Sequence, residues 1–188
     1  MCGRFTLHRP KPEIIKELQP ELWEDEDRYE PMYNIAPTMD CLVLTAVNGA
    51  RRLSFMRWGL IPSWARDAAI GSRLINARCE TVAEKPSFRH LVGRTNCAVV
   101  MDGYIEWQRC GGRKQPHLIR HRDHGLMLAA GLWDTWTTPE GLALRTFTII
   151  TADAAPGVLE IHDRMPAILP RDGVDDWLNP AGPAARQV

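Results

Sequence analysis

The most distinctive chemistry in this chain stands at its start, in Met1-Cys2-Gly3-Arg4-Phe5-Thr6. Cys is small enough for methionine aminopeptidase to remove a preceding initiator Met, and loss of Met1 leaves Cys2 as a 1,2-aminothiol. Its α-amine then titrates near about 8 and its thiol near about 8.5, so both nucleophilic forms are accessible close to neutrality. No internal residue offers that pair. Gly3 permits close backbone approach. Phe5 is an apolar anchor that can hold the segment inside a fold where a terminus would otherwise fray.

Three further positions carry groups suited to proton transfer and polar contact. Asn76 and Arg78, in Leu74-Ile75-Asn76-Ala77-Arg78, lie two apart and so share one side of an extended segment. Glu106, in Asp102-Gly103-Tyr104-Ile105-Glu106-Trp107, alternates to the face opposite Ile105 and Trp107. A carboxylate framed in this way is a candidate for acid–base work, and a solvated strand residue is the plain alternative. His162, in Glu160-Ile161-His162-Asp163-Arg164-Met165-Pro166, is the natural proton shuttle near neutral pH, although a lone histidine is more often structural. In Trp58-Gly59-Leu60-Ile61-Pro62-Ser63-Trp64, Trp58 reads as a core residue, and Trp64, in a loop with polar neighbours, reads equally as a second core tryptophan or as an exposed stacking surface.

The surrounding pattern says what must hold these groups. Pro10–Leu18 reads as a short helix, with Pro12 early, Glu13 in the first turn and Ile14, Ile15 and Leu18 as its apolar stripe. The acidic stretch Glu21–Glu30 reads as a solvated connection, and Pro31–Thr38 as a proline-bounded loop. Cys41–Val47 and Arg51–Trp58 flank Asn48-Gly49, a strong hairpin signal. A short helix is expected to open at Pro86. Strands are expected at 96–101, 104–107, 116–120, 126–133, 145–151 and 167–169, with helical turns at 155–159 and 174–178. Residues 180–188 read as a disordered tail, leaving a domain over 1–179. Many short antiparallel strands with a few short helices indicate α+β, with an open barrel-like or twisted sheet as its core.

Composition sets the outer limits. With 188 residues the chain is one domain with room for a real core. Its longest apolar runs are too short to span a bilayer, and the first residues lack the apolar core of a signal peptide. The five cysteines (2, 41, 79, 97 and 110) are odd in number and contain no Cys-x-x-Cys pair. A disulfide framework or zinc site is therefore not expected, no cofactor is called for, and a reducing cytosol fits best. The formal net charge is zero, yet residues 13–30 hold eight acids against Lys16 and Arg28, so the remainder is basic. Of the 23 basic residues 19 are arginines, whose planar fork suits phosphate contacts.

Taken in order and spacing, the first six residues, Tyr33-Asn34-Ile35-Ala36-Pro37-Thr38, the Trp58–Trp64 segment, Ile75–Arg78, Asp102–Trp107 and Ile161–Pro166 resemble the SRAP family, the SOS response-associated peptidases that shield abasic sites. The resemblance runs from Cys2 to about Leu178. It implies a protein that binds abasic sites in single-stranded DNA at or beside a duplex junction, and that crosslinks to them through Cys2 as a thiazolidine. It also implies that Asn76 holds the terminal amine or ring, that Glu106 is the acid–base carboxylate, and that His162 handles protons on the deoxyribose. Arg4, Arg78 and Arg164 match phosphate-contacting positions and Thr151 a polar contact beside the phosphate. Pro37 and Trp64 match apolar surfaces that meet neighbouring bases, and Asn34 is grouped with the DNA-contacting positions.

Two departures from the family's pattern stand out. One phosphate-binding arginine falls at Pro86, where Lys85 or Arg89 is the substitute, and the segment after Leu178 is shorter than in family members. The implied setting is a cytoplasmic, bacterial or phage-encoded monomer, nucleoid-associated when bound to DNA, with no metal and no membrane. The competing readings are a cysteine (auto)peptidase or N-terminal-nucleophile amidohydrolase using Cys2, and a non-catalytic single-strand binder.

Overall fold

A computed structural model describes residues 2–179; the expected loss of Met1 and the expected disorder of 180–188 lie outside the described residues. In chain order the elements are β1 (Phe5–Leu7), α1 (Lys11–Leu18), β2 (Leu22–Trp23), β3 (Met32–Ile35), β4 (Asp40–Val47), β5 (Ala50–Trp58), β6 (Asn76–Arg78), β7 (Asn96–Met101), β8 (Gly103–Cys110), β9 (Arg113–Arg120), β10 (Met127–Thr137), β11 (Ala143–Asp153), α2 (Pro156–Leu159), β12 (Arg164–Pro166) and α3 (Val174–Leu178).

The core is a five-stranded barrel. β4 pairs antiparallel with β5 and β7, β7 with β10, and β10 with β11. A parallel seam closes the ring, with Thr146 and Phe147 of β11 opposite Arg57 and Trp58 of β5. The mostly antiparallel α+β domain is thus as expected, and this parallel seam closes a barrel that the sequence left open. All six residues of β7 are buried, because the strand is covered on both faces. α3 covers part of it: Trp177 donates its indole N–H to Cys97 O (2.8 Å), and Asn96 Nδ2 donates to Trp177 O (2.9 Å).

A second sheet, in the order β3-β1-β8-β9, packs on the barrel. Phe5 and Trp58 join the layers, their rings tilted with centroids 5.1 Å apart. The two sheets share one continuous run of chain, since β7 passes through Asp102 directly into β8. Asp102 secures that crossing by accepting from His8 N (2.6 Å), Arg9 N (3.2 Å) and Arg9 Nε (2.7 Å). Gly103 is required here, because a Cβ would stand 2.6 Å from Ile119 O.

Several local expectations need correction. The segment expected to be a loop contains β3, which pairs with β1, because Pro31 and Pro37 lie just outside the paired residues. The acidic connection is only partly solvated: Leu22 and Trp23 pair with β5, and Glu24 binds Arg52 and Arg145. No helix opens at Pro86. Residues 79–95 form successive turns pinned by the buried Val82, Phe88 and Leu91. Of the α1 stripe, Ile14 and Leu18 are buried and Ile15 is exposed. Among the described residues the last strand is Arg164–Pro166, with only a bridge at Ile168 beyond it.

Candidate active site at the N-terminal cysteine

β1 lies between β3 and β8, with Phe5 opposite both Ile35 and Tyr104. Ile105 N donates to Arg4 O (2.8 Å), so the residues that precede β1 run beside Glu106. Cys2 is fully buried. Its thiol points to Arg4 O (3.7 Å), and its own carbonyl accepts from Asn76 Nδ2 (2.8 Å). Burial, reinforced by the nearby Glu106 carboxylate, pushes the Cys2 thiol up to about 12. It is therefore an S–H group near neutral pH.

Glu106 is buried on the inward face of β8, two residues after Tyr104 on the same face. The Tyr104 hydroxyl is buried with no hydrogen-bond partner among the described residues, and burial together with Cys2 and Glu106 holds the phenol well above its usual range. Tyr104 was missed as a site residue, although strand alternation placed it beside Glu106.

Two short strands flanking the end of β11 assemble the polar rim. β6 lies parallel to β11, with Asn76 opposite Ile149 and Arg78 opposite Thr151. β12 lies on the other side of β11, with Pro166 opposite Thr151 and Arg164 opposite Asp153. Thr151 is fully buried and donates to Ala77 O (3.4 Å), while Arg78 is exposed. Arg164 donates to Thr151 O (2.7 Å) and is also held by Glu80 (2.6 and 3.0 Å) and Asp153 (2.6 Å). The Arg164 hydrogen bond holds the Glu80 carboxyl down to about 2. Sequence reasoning passed over Glu80, and nothing in its local pattern marked it.

His162 sits in the turn between α2 and β12. That turn is fastened to β8 by Gln108 Nε2, which donates to Glu160 O (2.9 Å). The Arg164 backbone N–H donates to His162 Nδ1 (3.0 Å), and the exposed Asp163 carboxylate lies 2.8 Å from the same nitrogen. The two contacts make opposite demands on Nδ1, a lone pair for the Arg164 N–H and a proton for the Asp163 carboxylate.

The outer positions differ in how they are set. The loop carrying Trp64 is closed at its ends by the backbone contact of Gly59 and Gly71; Gly59 has φ +120°, and a Cβ there would meet Gly71 O at 2.7 Å. Ile61 N to Thr146 Oγ1 (2.8 Å), Ser63 N to Asp134 Oδ2 (2.7 Å) and Trp136 Nε1 to Ala65 O (2.7 Å) complete the anchoring. Trp64 is nevertheless 56% exposed and borders a cavity of about 490 Å3 with Arg66, Ile70 and Arg73. Trp58 is core, as expected. Asn34 is exposed on β3, and Pro37 is half-buried in the turn that follows. Arg4 donates to Gly3 O (2.9 Å). Lys85 and Arg89 project from the turn-rich segment, and among the described residues no hydrogen bond or ion pair joins them to the Cys2 cluster. Among the described residues no group of three or more His, Cys, Asp or Glu could hold a metal ion, and no helix is long and apolar enough to cross a membrane.

A closed β-barrel with a small sheet packed on it, and a buried cysteine near the start of the chain between an amide and a carboxylate, defines the class of site. The chain belongs to the SOS response associated peptidase (SRAP) family, which it matches over residues 1–188. It is 42% identical over 181 residues to abasic site processing protein YoqW of Bacillus subtilis, covering 96% of this chain and 81% of that one. Abasic site processing protein HMCES of Rattus norvegicus is 32% identical over 227 residues, which cover 95% of this chain and 64% of the rat protein. A crystal structure of a protein from Bacteroides thetaiotaomicron is similar with a TM-score of 0.86 and 29% identity, over 98% of this chain and 84% of that one.

Proposed function

We propose that this protein binds abasic sites in single-stranded DNA and shields them as a covalent thiazolidine formed by the α-amine and thiol of Cys2 once Met1 is removed. The observation that carries the reading is the setting of Cys2: fully buried, its carbonyl held by Asn76, with the Glu106 charge beside it. The relatives named for abasic site processing supply the substrate.

The ring-opened abasic sugar presents an aldehyde. The Cys2 amine adds to its carbon, and loss of one water leaves an imine. The thiol then adds across the C=N bond, sulfur to carbon and proton to nitrogen, closing a five-membered ring with no further loss. Asn76 fixes the residue whose amine attacks. Glu106 takes the proton released as the amine adds, and His162 handles the proton at the sugar oxygen. The amine-first route takes the thiol in its S–H form, the form that burial favours. Arg4, Arg78 and Arg164 take phosphates, with Thr151 beside them. Asn34, Pro37 and Trp64 meet the flanking nucleotides, and Lys85 and Arg89 supply outer charge. Such binding is salt-dependent and indifferent to sequence. The protein acts as a cytoplasmic monomer.

Substitution at Cys2 tests the route. Cys2→Ser keeps the amine and loses the thiol, so its adduct with an abasic oligonucleotide should survive denaturation only after borohydride reduction. The wild-type adduct should need no reductant. A stable unreduced adduct from Cys2→Ala would contradict the proposal.

A further inference from the structure

The hairpin that grows out of the candidate site carries a charge pattern that the proposed chemistry does not use. Residues 107–122 contain Arg109, Arg113, Lys114, Arg120 and Arg122 and no Asp or Glu. β8 and β9 pair without interruption from Gly103 opposite Arg120 to Cys110 opposite Arg113. The turn is Gly111-Gly112, both with positive φ (54° and 81°), a tight two-residue connection that keeps the tip narrow. β9 is an outer strand of its sheet, and Arg109, Arg113 and Lys114 are exposed.

Half of the fourteen described arginines outside the hairpin are neutralised by a nearby acid. Arg9, Arg28, Arg51, Arg52, Arg145, Arg164 and Arg171 are each held by a carboxylate. Among the described residues none of the five hairpin cations takes part in an ion pair. Charged outer strands also guard a sheet edge against pairing with other chains. Acids would guard it equally well, and an uninterrupted run of one sign builds a field that attracts a polyanion.

Position supplies the rest. Arg109 follows Glu106 by three residues on one strand, so it lies about 10 Å from Glu106, and the Cys110–Arg113 pair lies about 13 Å away; alternation puts Arg113 on the face of Glu106 and Arg109 with its partner Lys114 on the opposite one, so both faces of the tip are cationic. Stacked DNA advances about 3.4 Å per nucleotide. The Gln108 bond to Glu160 O ties the root of the hairpin to the turn that holds His162, so the tip is fixed relative to the site. We propose that Arg109, Arg113 and Lys114 bind the phosphodiester backbone of the lesion-bearing strand about three to four nucleotides from the abasic position. This rests on the reading that the abasic sugar sits at Cys2.

The test compares wild type with R109Q/R113Q/K114Q. Affinity for a long undamaged single strand is measured as a function of salt, and crosslinking rate is measured on an abasic strand that stops two nucleotides to either side of the lesion. Loss of three phosphate contacts should flatten the log–log salt dependence by about 2, at about 0.7 per phosphate. Affinity for the long strand should fall severalfold at low salt, while the short strand crosslinks at the wild-type rate. An unchanged salt slope overturns the proposal, and so does an equal loss on short and long strands. Failure of the wild type to crosslink overturns the Cys2 chemistry instead, because the slope is read on undamaged DNA.

Discussion

Arg164 is matched to a phosphate-binding role, yet its guanidinium is already satisfied by Glu80, Asp153 and the Thr151 carbonyl. A phosphate must therefore share or displace these partners. With its carboxyl held at about 2, Glu80 stays ionised through the neutral range and competes without pH gating. Glu80→Gln should thus tighten binding to single-stranded DNA and steepen its salt dependence; weaker binding would mean that Glu80 positions Arg164 for the phosphate. The thiols give a second prediction. Cys110 is exposed, whereas Cys2 is buried with its thiol at about 12. Mass mapping after alkylation of the folded protein near pH 8 should find Cys110 labelled first and Cys2 protected until unfolding. Early labelling of Cys2 would contradict the buried setting on which the mechanism rests. At this scale the sequence was informative where a residue type is rare for its place, as with Cys2 or the framed Glu106. It was silent where the partner comes from a distant strand, as with Glu80 and Arg164.

Elements legible in the sequence were those whose signals are local. β4 announces itself by its β-branched Val43, Thr45 and Val47 and β5 by the Asn48-Gly49 that precedes it, and both turn residues take positive φ (53° and 82°). β3 did not, because four residues between prolines look like loop until β1 is present to pair with them. The turns of 79–95 were likewise misread: their buried anchors are spaced for separate turns and give no helical stripe. Asp102 is the joint between elements, and it carries a pH prediction. Burial alone would raise its pKa, but the His8 N–H bond and Arg9 overcome this and hold it below the ordinary aspartate value. Its stabilising contribution is thus complete above its unfolded-state pKa of about 4 and is lost as pH falls through the lower folded value. Asp102→Ala should cost on the order of 3 kcal/mol at neutral pH, because it leaves the His8 and Arg9 backbone N–H groups unpaired and takes from Arg9 one of its carboxylates, with Glu17 and His124 O remaining. Its deficit relative to wild type should shrink in acid. Denaturant titrations at pH 7 and pH 3 check this; a deficit that does not shrink contradicts it.

The whole molecule is a barrel whose closure has no local sign. The parallel seam between β5 and β11 joins residues some ninety positions apart, and no residue on either strand marks its partner. That seam matters to the site, since Trp58 stands in it, packs with its ring tilted against Phe5 of β1 and donates its indole N–H to Ile75 O (2.9 Å), one residue before Asn76. Trp58→Ala should therefore cost about 3–5 kcal/mol of stability, and should slow crosslinking even under conditions where the protein remains folded. Wild-type rates in folded Trp58→Ala would show that the barrel does not position the site. The central claim is most directly tested by intact-protein mass after mixing with a single-stranded oligonucleotide bearing one abasic site. The protein-only control shows whether Met1 is gone. The account predicts protein lacking Met1 plus DNA minus one water, stable without reductant. Protein that has lost Met1, is folded and gives no such adduct would contradict it.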